Sequence, residues 1–305
     1  MTPWLEDCCG CKGLHREGTI ANADAGCQSP CAGRYAGAHE DRVGSFVVLR
    51  TGRVSSIDGT EIAFCEWGNA KGAPVVLIHG WLFSRQAFAR QMQGELAERC
   101  RVVAYDLRGH GESGKPEGLS DYSDGRVWAA DLECVLAAAG TERPVLAGWS
   151  LGGRVAAHYV FVNGPERVAG LNLVAARILQ PANIAPGQSI EATARFVRNC
   201  TNSPFSEEDG ELFLGTAMAV PPVAQQGASA WHIDYGSFFD ELELPTLVTH
   251  GANDPLTLPL AAENIARRLR GTLSIYPDCG HMPFWEEPAR FNHELAEFAE
   301  QTYRR

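Results

Sequence analysis

Ser150, Asp254 and His281 have the types and the order along the chain that suit nucleophilic catalysis. A serine hydroxyl is a poor nucleophile at its own pKa, so a histidine must take its proton and a carboxylate must orient that histidine. The chemistry of such a set is attack on a carbonyl group, with transfer of the acyl part to the serine. We therefore predict that these three side chains form a catalytic triad.

The run from Gly148 to Gly152 reads Gly-Trp-Ser-Leu-Gly, follows an apolar segment at 144–147 and opens a helical pattern. A Gly-x-Ser-x-Gly run alone is weak evidence, because Gly and Ser are common neighbours in loops. Between a strand and a helix it predicts a sharp, strained turn that projects the serine hydroxyl from the carboxyl edge of a sheet. The alternative is an ordinary helix start in which Ser150 is the N-cap.

The acid and the base are expected at the ends of two successive strands. Asp254 follows one strongly apolar segment, and His281 lies in the loop after the next one. Asp278 competes for the role of acid, but it lies three positions before the histidine in one tight loop, where bridging to the ring is difficult. Asp131 is a weaker rival. Ser113, in the loop 106–113, lacks the strand-to-helix turn, and we interpret that loop as structural.

An alkoxide formed on the substrate needs preorganised donors, and we expect two backbone amides to supply them. One is the N–H of Leu151, directly after the nucleophile, and the other is the N–H of Trp81 in the loop that begins at His79. His79 precedes the nucleophile and is interpreted as a residue that shapes this loop. Several apolar residues beside these loops are expected to line a substrate pocket or, alternatively, to pack in the core: Phe83, Trp149, Met282, Phe284 and Trp285.

Strands and helices that could position these residues alternate along the chain. Strand-like runs occur at 46–49, 61–64, 75–78, 102–105, 145–147, 168–174, 247–249 and 273–276, and Asp58-Gly59 predicts a hairpin turn between the first two. Amphipathic helices are predicted at 85–98, 122–139, 151–162, 258–269 and 288–303. Apolar strands separated by helices predict an α/β fold with a mostly parallel, twisted sheet and helices on both faces.

Three regions differ in composition. Residues 45–176 and 244–305 carry the alternating pattern and form the predicted core, whereas the Pro-punctuated segment 177–243 is predicted to be an inserted helical cap. Residues 1–44 are rich in Gly, Ala and Cys and are expected to be a disordered tail. The tail contains five cysteines in an irregular pattern, so zinc binding is an alternative: Cys8, Cys9, Cys11, Cys27 and Cys31.

The overall composition excludes several classes of partner. The 305 residues are 45% hydrophobic and carry a formal net charge of −11, which disfavours nucleic acid and acidic membrane surfaces. No apolar run reaches the roughly 18 to 20 residues that a membrane helix needs. The first residues lack the pattern of a secretory signal, so we expect a soluble protein of the cytoplasm.

The ordered set of motifs resembles the α/β-hydrolase superfamily over residues 45–305. The motifs are the runs 79–81, 106–113, 148–153, 251–254 and 280–281. The resemblance implies a cofactor-free fold whose cap shapes the substrate pocket. Within the superfamily the chain is most similar to small-molecule esterases and cofactor-free haloperoxidase or perhydrolase relatives, and to the pimeloyl-carrier methyl esterases, which share Gly-Trp-Ser-Leu-Gly-Gly.

Departures from relatives narrow the expected reaction. Haloalkane dehalogenases and epoxide hydrolases have aspartate in place of Ser150, and perhydrolase-type members usually have proline where Leu82 stands. Carbon–carbon bond hydrolases often have tryptophan at the position of Met282. We therefore expect a serine hydrolase that cleaves a small-molecule carboxylic ester through an acyl-enzyme. Perhydrolysis, carbon–carbon bond hydrolysis and a role as ligand receptor remain alternatives.

Overall fold

The computed structural model describes residues 42–43, 46–178, 189–231 and 235–304. Its nine strands are β1 (Arg42–Val43), β2 (Phe46–Ser55), β3 (Glu61–Gly68), β4 (Ala73–Ile78), β5 (Cys100–Tyr105), β6 (Val145–Trp149), β7 (Gly170–Val174), β8 (Thr246–Gly251) and β9 (Thr272–Tyr276). They form one sheet in the order β1-β2-β3-β5-β4-β6-β7-β8-β9. The predicted strands are confirmed, each with slightly different bounds.

The direction of the strands divides the sheet into two parts. The pairs β1–β2, β2–β3 and β3–β5 are antiparallel. The pairs β5–β4, β4–β6, β6–β7, β7–β8 and β8–β9 are parallel. Every residue of β4, β6, β7 and β8 is buried, as expected for the central strands of a parallel sheet with helices on both faces. The carboxyl ends of these parallel strands meet at one edge, where the candidate catalytic residues follow β6, β8 and β9.

Eleven α-helices lie among the described residues: α1 (Glu95–Arg99), α2 (Ser120–Ser123), α3 (Gly125–Ala139), α4 (Leu151–Asn163), α5 (Ile190–Arg198), α6 (Glu207–Met218), α7 (Pro222–Ala230), α8 (Phe238–Glu241), α9 (Pro259–Leu269), α10 (Pro283–Glu286) and α11 (Pro288–Tyr303). Two 3-10 helices span Arg85–Met92 and Pro165–Arg167. Among these described residues, no helix is long and apolar enough to cross a bilayer.

Two of the predicted helices are interrupted. The segment predicted at 85–98 is a kinked 3-10 helix followed by α1, because Gln93 adopts an extended conformation between them. The segment predicted at 122–139 is divided at Asp124, whose backbone is also extended and whose carboxylate accepts a hydrogen bond from the Arg126 N–H. Asp124 therefore starts α3 as its N-cap.

The insertion between β7 and β8 contains α5, α6, α7 and α8, in the segment predicted to be a cap. Its buried residues, including Phe213 and Trp231, belong to the same hydrophobic cluster as the sheet. β1 lies inside the segment predicted to be a tail, and the remainder of that prediction, with its five cysteines, lies outside the described residues.

Candidate active site

Ser150 occupies a strained turn between β6 and α4. Its backbone has φ 54° and ψ −112°, a conformation that is unfavourable for a residue with a side chain. The Ser150 N–H donates to the carbonyl of Val174 at 2.9 Å, which ties the turn to the end of the neighbouring strand. A Cβ on Gly152 would lie 2.1 Å from the Ile78 carbonyl oxygen, so only glycine fits there. Ser150 makes no side-chain cap hydrogen bond, which disfavours the interpretation as a simple N-cap.

Asp254 and His281 form a buried pair at the same edge of the sheet. Nδ1 of His281 lies 2.7 Å from Oδ2 of Asp254. The other carboxylate oxygen, Oδ1, accepts backbone N–H groups from Leu256 at 2.8 Å and from Thr257 at 2.9 Å. Because an ionised carboxylate can only accept, the proton lies on Nδ1 of His281. In the neutral ring Nε2 is then unprotonated and can accept a proton.

The environment of Asp254 keeps its carboxyl group ionised. Burial by itself raises the pKa of a carboxyl group, but the charge and hydrogen bond of His281 and the Thr257 amide lower it. The lowering effects prevail, and the pKa of Asp254 lies below its usual value. A second imidazole, that of His250, has its Nε2 3.4 Å from Oδ2 of Asp254, and burial lowers the pKa of this histidine.

Trp149 connects the turn of Ser150 with the loop of His281. Its Nε1 donates to the backbone carbonyl of His281 at 2.8 Å, and the two rings lie 5.6 Å apart. The hydrogen bonds of the described residues do not include one between the Ser150 hydroxyl and His281. The structure thus brings Asp254 and His281 into contact, and Trp149 connects the turn of Ser150 to the loop of His281.

The loop after β4 contains Trp81, whose N–H is the second predicted donor. His79 is fully buried; its Nδ1 lies 2.8 Å from the Gly80 carbonyl, and its Nε2 accepts the Leu107 N–H at 2.9 Å. Burial lowers the pKa of His79 to about 3, so the ring is neutral and acts as a brace inside the loop. Leu82 has a φ of 65°, in the left-handed region. The Trp81 amide thus lies in a braced, tightly turned segment.

The side chains predicted to line the pocket are deeply buried: Phe83, Trp149, Met282 and Phe284 are each at most 1% exposed. Phe83 and Phe284 pack edge-on against Trp149, with ring centroids 4.8 Å and 5.2 Å away. The described geometry therefore favours the alternative of core packing. A role in lining a substrate pocket stays a prediction, and the observed contacts of Phe83 and Phe284 are with the Trp149 ring.

The rival residues have other partners. Asp131 is buried and forms a two-point ion pair with Arg108, with nitrogen–oxygen distances of 2.7 Å. The Ser113 hydroxyl donates to the Asp106 carbonyl at 2.6 Å and accepts the Ala63 N–H at 2.9 Å. Both are therefore structural groups, as was proposed for the loop 106–113.

Glu286 was not recognised in the sequence, yet it holds the histidine loop. Its Oε2 accepts the Gly280 N–H at 2.6 Å, directly before His281. Its Oε1 accepts the N–H groups of Asn202 at 2.8 Å and Ser203 at 3.0 Å, which belong to the segment between α5 and α6. One carboxylate thus joins the loop of His281 to the inserted helical segment between β7 and β8. The sequence offers one signal for this role, which is that Glu286 follows the histidine by five positions. Many surface carboxylates have a similar position, so the signal does not single out Glu286.

No group of three or more His, Cys, Asp or Glu side chains in the described residues is arranged to hold a metal ion. The zinc hypothesis concerned cysteines of the tail, outside these residues.

Residues 75–294 match the sequence profile of the alpha/beta hydrolase family. This match covers more than half of the chain and includes β6, β8 and β9 with the loops that follow them. The chain belongs to the alpha/beta hydrolase family. The resemblance inferred from the motifs is thereby confirmed, as is the predicted fold class.

The matches to similar proteins cover almost the full length of those proteins. A non-heme chloroperoxidase of Streptomyces lividans is 29% identical over 278 residues, which cover 81% of this chain and 99% of the relative. A bifunctional esterase/perhydrolase of Acinetobacter calcoaceticus is 26% identical, with 81% and 99% covered. A crystal structure from Burkholderia cenocepacia, assigned as an aryl esterase, is 33% identical, covers 84% of this chain and 100% of its own, and has a TM-score of 0.78.

Proposed function

We propose that the protein is a serine esterase that cleaves a small carboxylic ester through an acyl-enzyme. The observation that carries the proposal is the 2.7 Å contact between Nδ1 of His281 and Oδ2 of Asp254, beside a serine held at φ 54°. This contact leaves Nε2 of His281 as the proton acceptor, and the strained turn presents the Ser150 hydroxyl at the sheet edge where substrates bind in this fold.

The proposed reaction has two halves. Nε2 of His281 takes the proton of Ser150 while Oγ attacks the ester carbonyl, and the N–H groups of Trp81 and Leu151 stabilise the negative oxygen. The carbon–oxygen bond to the alcohol breaks, and the alcohol leaves with the proton from His281. Water then attacks the acyl-serine, with His281 again taking and returning the proton, and the acid leaves. Asp254 stabilises the imidazolium in both halves.

Ester substrates are supported by the relatives assigned as an aryl esterase and as an esterase/perhydrolase. The same comparisons make perhydrolysis the second candidate, in which peroxide replaces water at the acyl-serine. Leu82 weighs against it, because the ring of proline restricts φ to about −65° and cannot adopt the conformation of Leu82 at φ 65°. The oxyanion loop therefore differs in its backbone from one that carries proline at this position.

Ser150→Ala tests the nucleophile. With an activated aryl ester in stopped flow, the wild type is expected to release a burst of one phenol per chain, because the acyl-enzyme accumulates. Ser150→Ala is expected to lose the burst and at least about 10³-fold in kcat/KM. Ser229→Ala is a matched control, since the Ser229 hydroxyl donates within its own helix, to the Gln225 carbonyl at 2.9 Å.

Full activity in Ser150→Ala would overturn the mechanism. Binding of esters without turnover by the wild type would instead favour a receptor. A parallel assay of peracid formation from acetate and hydrogen peroxide tests the second candidate. If peracid forms faster than the ester is hydrolysed, the preferred acyl acceptor is hydrogen peroxide and not water.

A further inference from the structure

Arg154, one helical turn after Ser150 on α4, is a buried cation without a carboxylate partner. The residue is 5% exposed, and no ion pair involves it among the described residues. Its Nη2 donates to the backbone carbonyl of Trp231, and the guanidinium lies over the Trp231 ring at 4.9 Å from the centroid. Nη1 is buried and has no hydrogen-bond partner. An unpaired buried charge is strongly destabilising, so this arrangement requires a counter-charge.

The polar atoms around this guanidinium also have no partners. They are both ring nitrogens of His158, Nε1 of Trp231 and the hydroxyl of Tyr235. With Nη1 of Arg154 they make up five of the fourteen buried side-chain atoms without a partner in the described part of the chain. The His158 ring lies 5.3 Å from that of Trp231 and 6.1 Å from that of Tyr235. Such a concentration of unused polar atoms indicates a site for a polar ligand.

The cluster of Arg154, His158, Trp231 and Tyr235 lies where the core meets the cap. Arg154 and His158 belong to α4, whereas Trp231 directly follows α7. At Gly125 a Cβ would lie 2.4 Å from Nε1 of Trp231 and 2.6 Å from Cδ2 of His158, so these two side chains converge on the start of α3. Side chains of a helix lean toward its N-terminus, which directs Arg154 toward the active-site end of α4.

The charges around the cluster favour an anion. Asp124 faces His158, but its carboxylate is already paired with Arg126 through nitrogen–oxygen contacts of 2.9 Å and 3.0 Å. Burial lowers the pKa of His158 to about 4, so near neutral pH this ring is uncharged and has one N–H to donate. The positive charge of the Arg154 guanidinium is thus the one that an anion would balance. Its uncharged neighbours offer mostly hydrogen-bond donors, which also suit an anion.

We propose that Arg154, Trp231 and Tyr235 bind the carboxylate group of a small organic acid between α4 and the cap. Nη1 of Arg154, Nε1 of Trp231 and the Tyr235 hydroxyl donate to its two oxygens, which can together accept these bonds. A single negative charge matches one guanidinium, whereas a phosphate dianion would bring excess charge into a buried place. The site uses none of the residues assigned to ester hydrolysis and does not depend on that assignment.

Titration calorimetry of the full chain with formate, acetate and propionate tests the site. The wild type is expected to bind one carboxylate, and Arg154→Met is expected to lose this binding. Tyr235→Phe removes one hydrogen bond to a charged group and is expected to weaken binding about tenfold. Ser150→Ala is expected to bind as the wild type does, because the site is separate from the nucleophile.

Thermal unfolding provides a second readout. Saturating acetate is expected to raise the Tm of the wild type and to leave that of Arg154→Met unchanged, since a ligand stabilises only the state that binds it. Without a carboxylate, Arg154→Met is expected to melt no lower than the wild type, because it removes an unpaired buried charge.

Three results would overturn the proposal: no binding of any of the three acids to the wild type, unchanged binding in Arg154→Met, or an experimental structure in which Arg154 is paired with a carboxylate of the chain itself. Should Arg154→Met fail to fold, Tyr235→Phe decides, and an affinity equal to that of the wild type would count against the site.

Discussion

At the imidazole of His281, the carboxylate of Asp254 determines which nitrogen carries the proton. The carboxylate is itself held by the backbone N–H groups of Leu256 and Thr257, so its position does not depend on the histidine. Nε2 of His250 lies 3.4 Å from the same oxygen and 2.7 Å from the Thr257 carbonyl oxygen. In the proposed mechanism the carboxylate is therefore fixed before substrate arrives, as preorganisation of the base requires.

Asp254→Asn tests this role. An amide in this position can donate to Nδ1 and so favour the wrong tautomer, and kcat is expected to fall about 10⁴-fold while the fold persists. Asp278→Asn is the matched control, because Asp278 was the rival acid and, among the described residues, its one hydrogen bond is that of its backbone carbonyl with Asn202 at 2.9 Å. It is expected to keep its activity within about twofold. Steady-state kinetics on one aryl ester measures both, and a larger loss in Asp278→Asn would exchange the two assignments.

Among the elements, α10 is short but joins the histidine loop to the cap through Glu286. Its carboxylate accepts three backbone N–H groups, and Gln can offer only one oxygen in its place. We expect Glu286→Gln to lower kcat/KM by about 10-fold to 100-fold, because charged hydrogen bonds of this kind contribute about 1.5 to 3 kcal/mol each.

Glu287→Gln serves as the control for Glu286, since its carboxylate faces the Cys279 thiol and Arg290 rather than backbone amides. It is expected to leave kcat/KM nearly unchanged. Comparison of the two pH–rate profiles adds a test of the positioning role. A displaced His281 changes the shape of the profile as well as its height. A general loss of stability lowers the fraction of folded enzyme and therefore changes only the height. Equal activities in both variants would remove Glu286 from the site.

The ends of β8 and β9 approach each other at Gly251. A Cβ at this position would lie 1.9 Å from the Gly280 carbonyl oxygen, so Gly251→Ala must separate the loops of Asp254 and His281. We expect a loss of about 3 kcal/mol or more in the free energy of unfolding, together with a loss of activity. Gly215→Ala, on the exposed surface of α6 with no atom within 4 Å, is expected to gain about 0.5 to 1 kcal/mol instead. Urea unfolding of both variants measures the difference in sign.

For the whole molecule, buried histidines couple stability to pH. Burial lowers the pKa of both His79 and His110 to about 3, and the charge of His79 contributes to the shift at His110. In the unfolded chain both rings take a proton near pH 6.5, so unfolding becomes more favourable as the pH falls through 6.5 toward 3. Asp254, whose pKa is lowered, adds a loss only below about pH 4.

We therefore expect the free energy of unfolding to fall by about 2 kcal/mol for each of these two histidines between pH 7 and pH 5. Urea titrations at several pH values measure it. His293→Gln, which replaces a half-exposed histidine on α11, should keep most of this slope, whereas a flat profile between pH 7 and pH 5 would contradict the burial of uncharged rings.

Local patterns in the sequence determined the parallel sheet, the strand before Ser150 and the helix after it, because apolar runs and small residues act within a few positions. The order of the motifs also placed Asp254 and His281 at the ends of successive strands, where the structure brings them into contact. The bounds of the first helices were wrong, since an extended Gln93 and the cap at Asp124 interrupt patterns that periodicity alone makes continuous.

Only the tertiary structure decided which side chains face the edge of the sheet and which lie beneath it. The bonds of Glu286 to Asn202 and Ser203, and the cluster of Arg154 with Trp231, join residues far apart along the chain. Such contacts depend on how the cap packs against the sheet, and no local spacing encodes that packing. For the same reason the sequence left open whether Phe83, Trp149 and Phe284 line a pocket or pack in the core, and only the structure shows that they pack against one another.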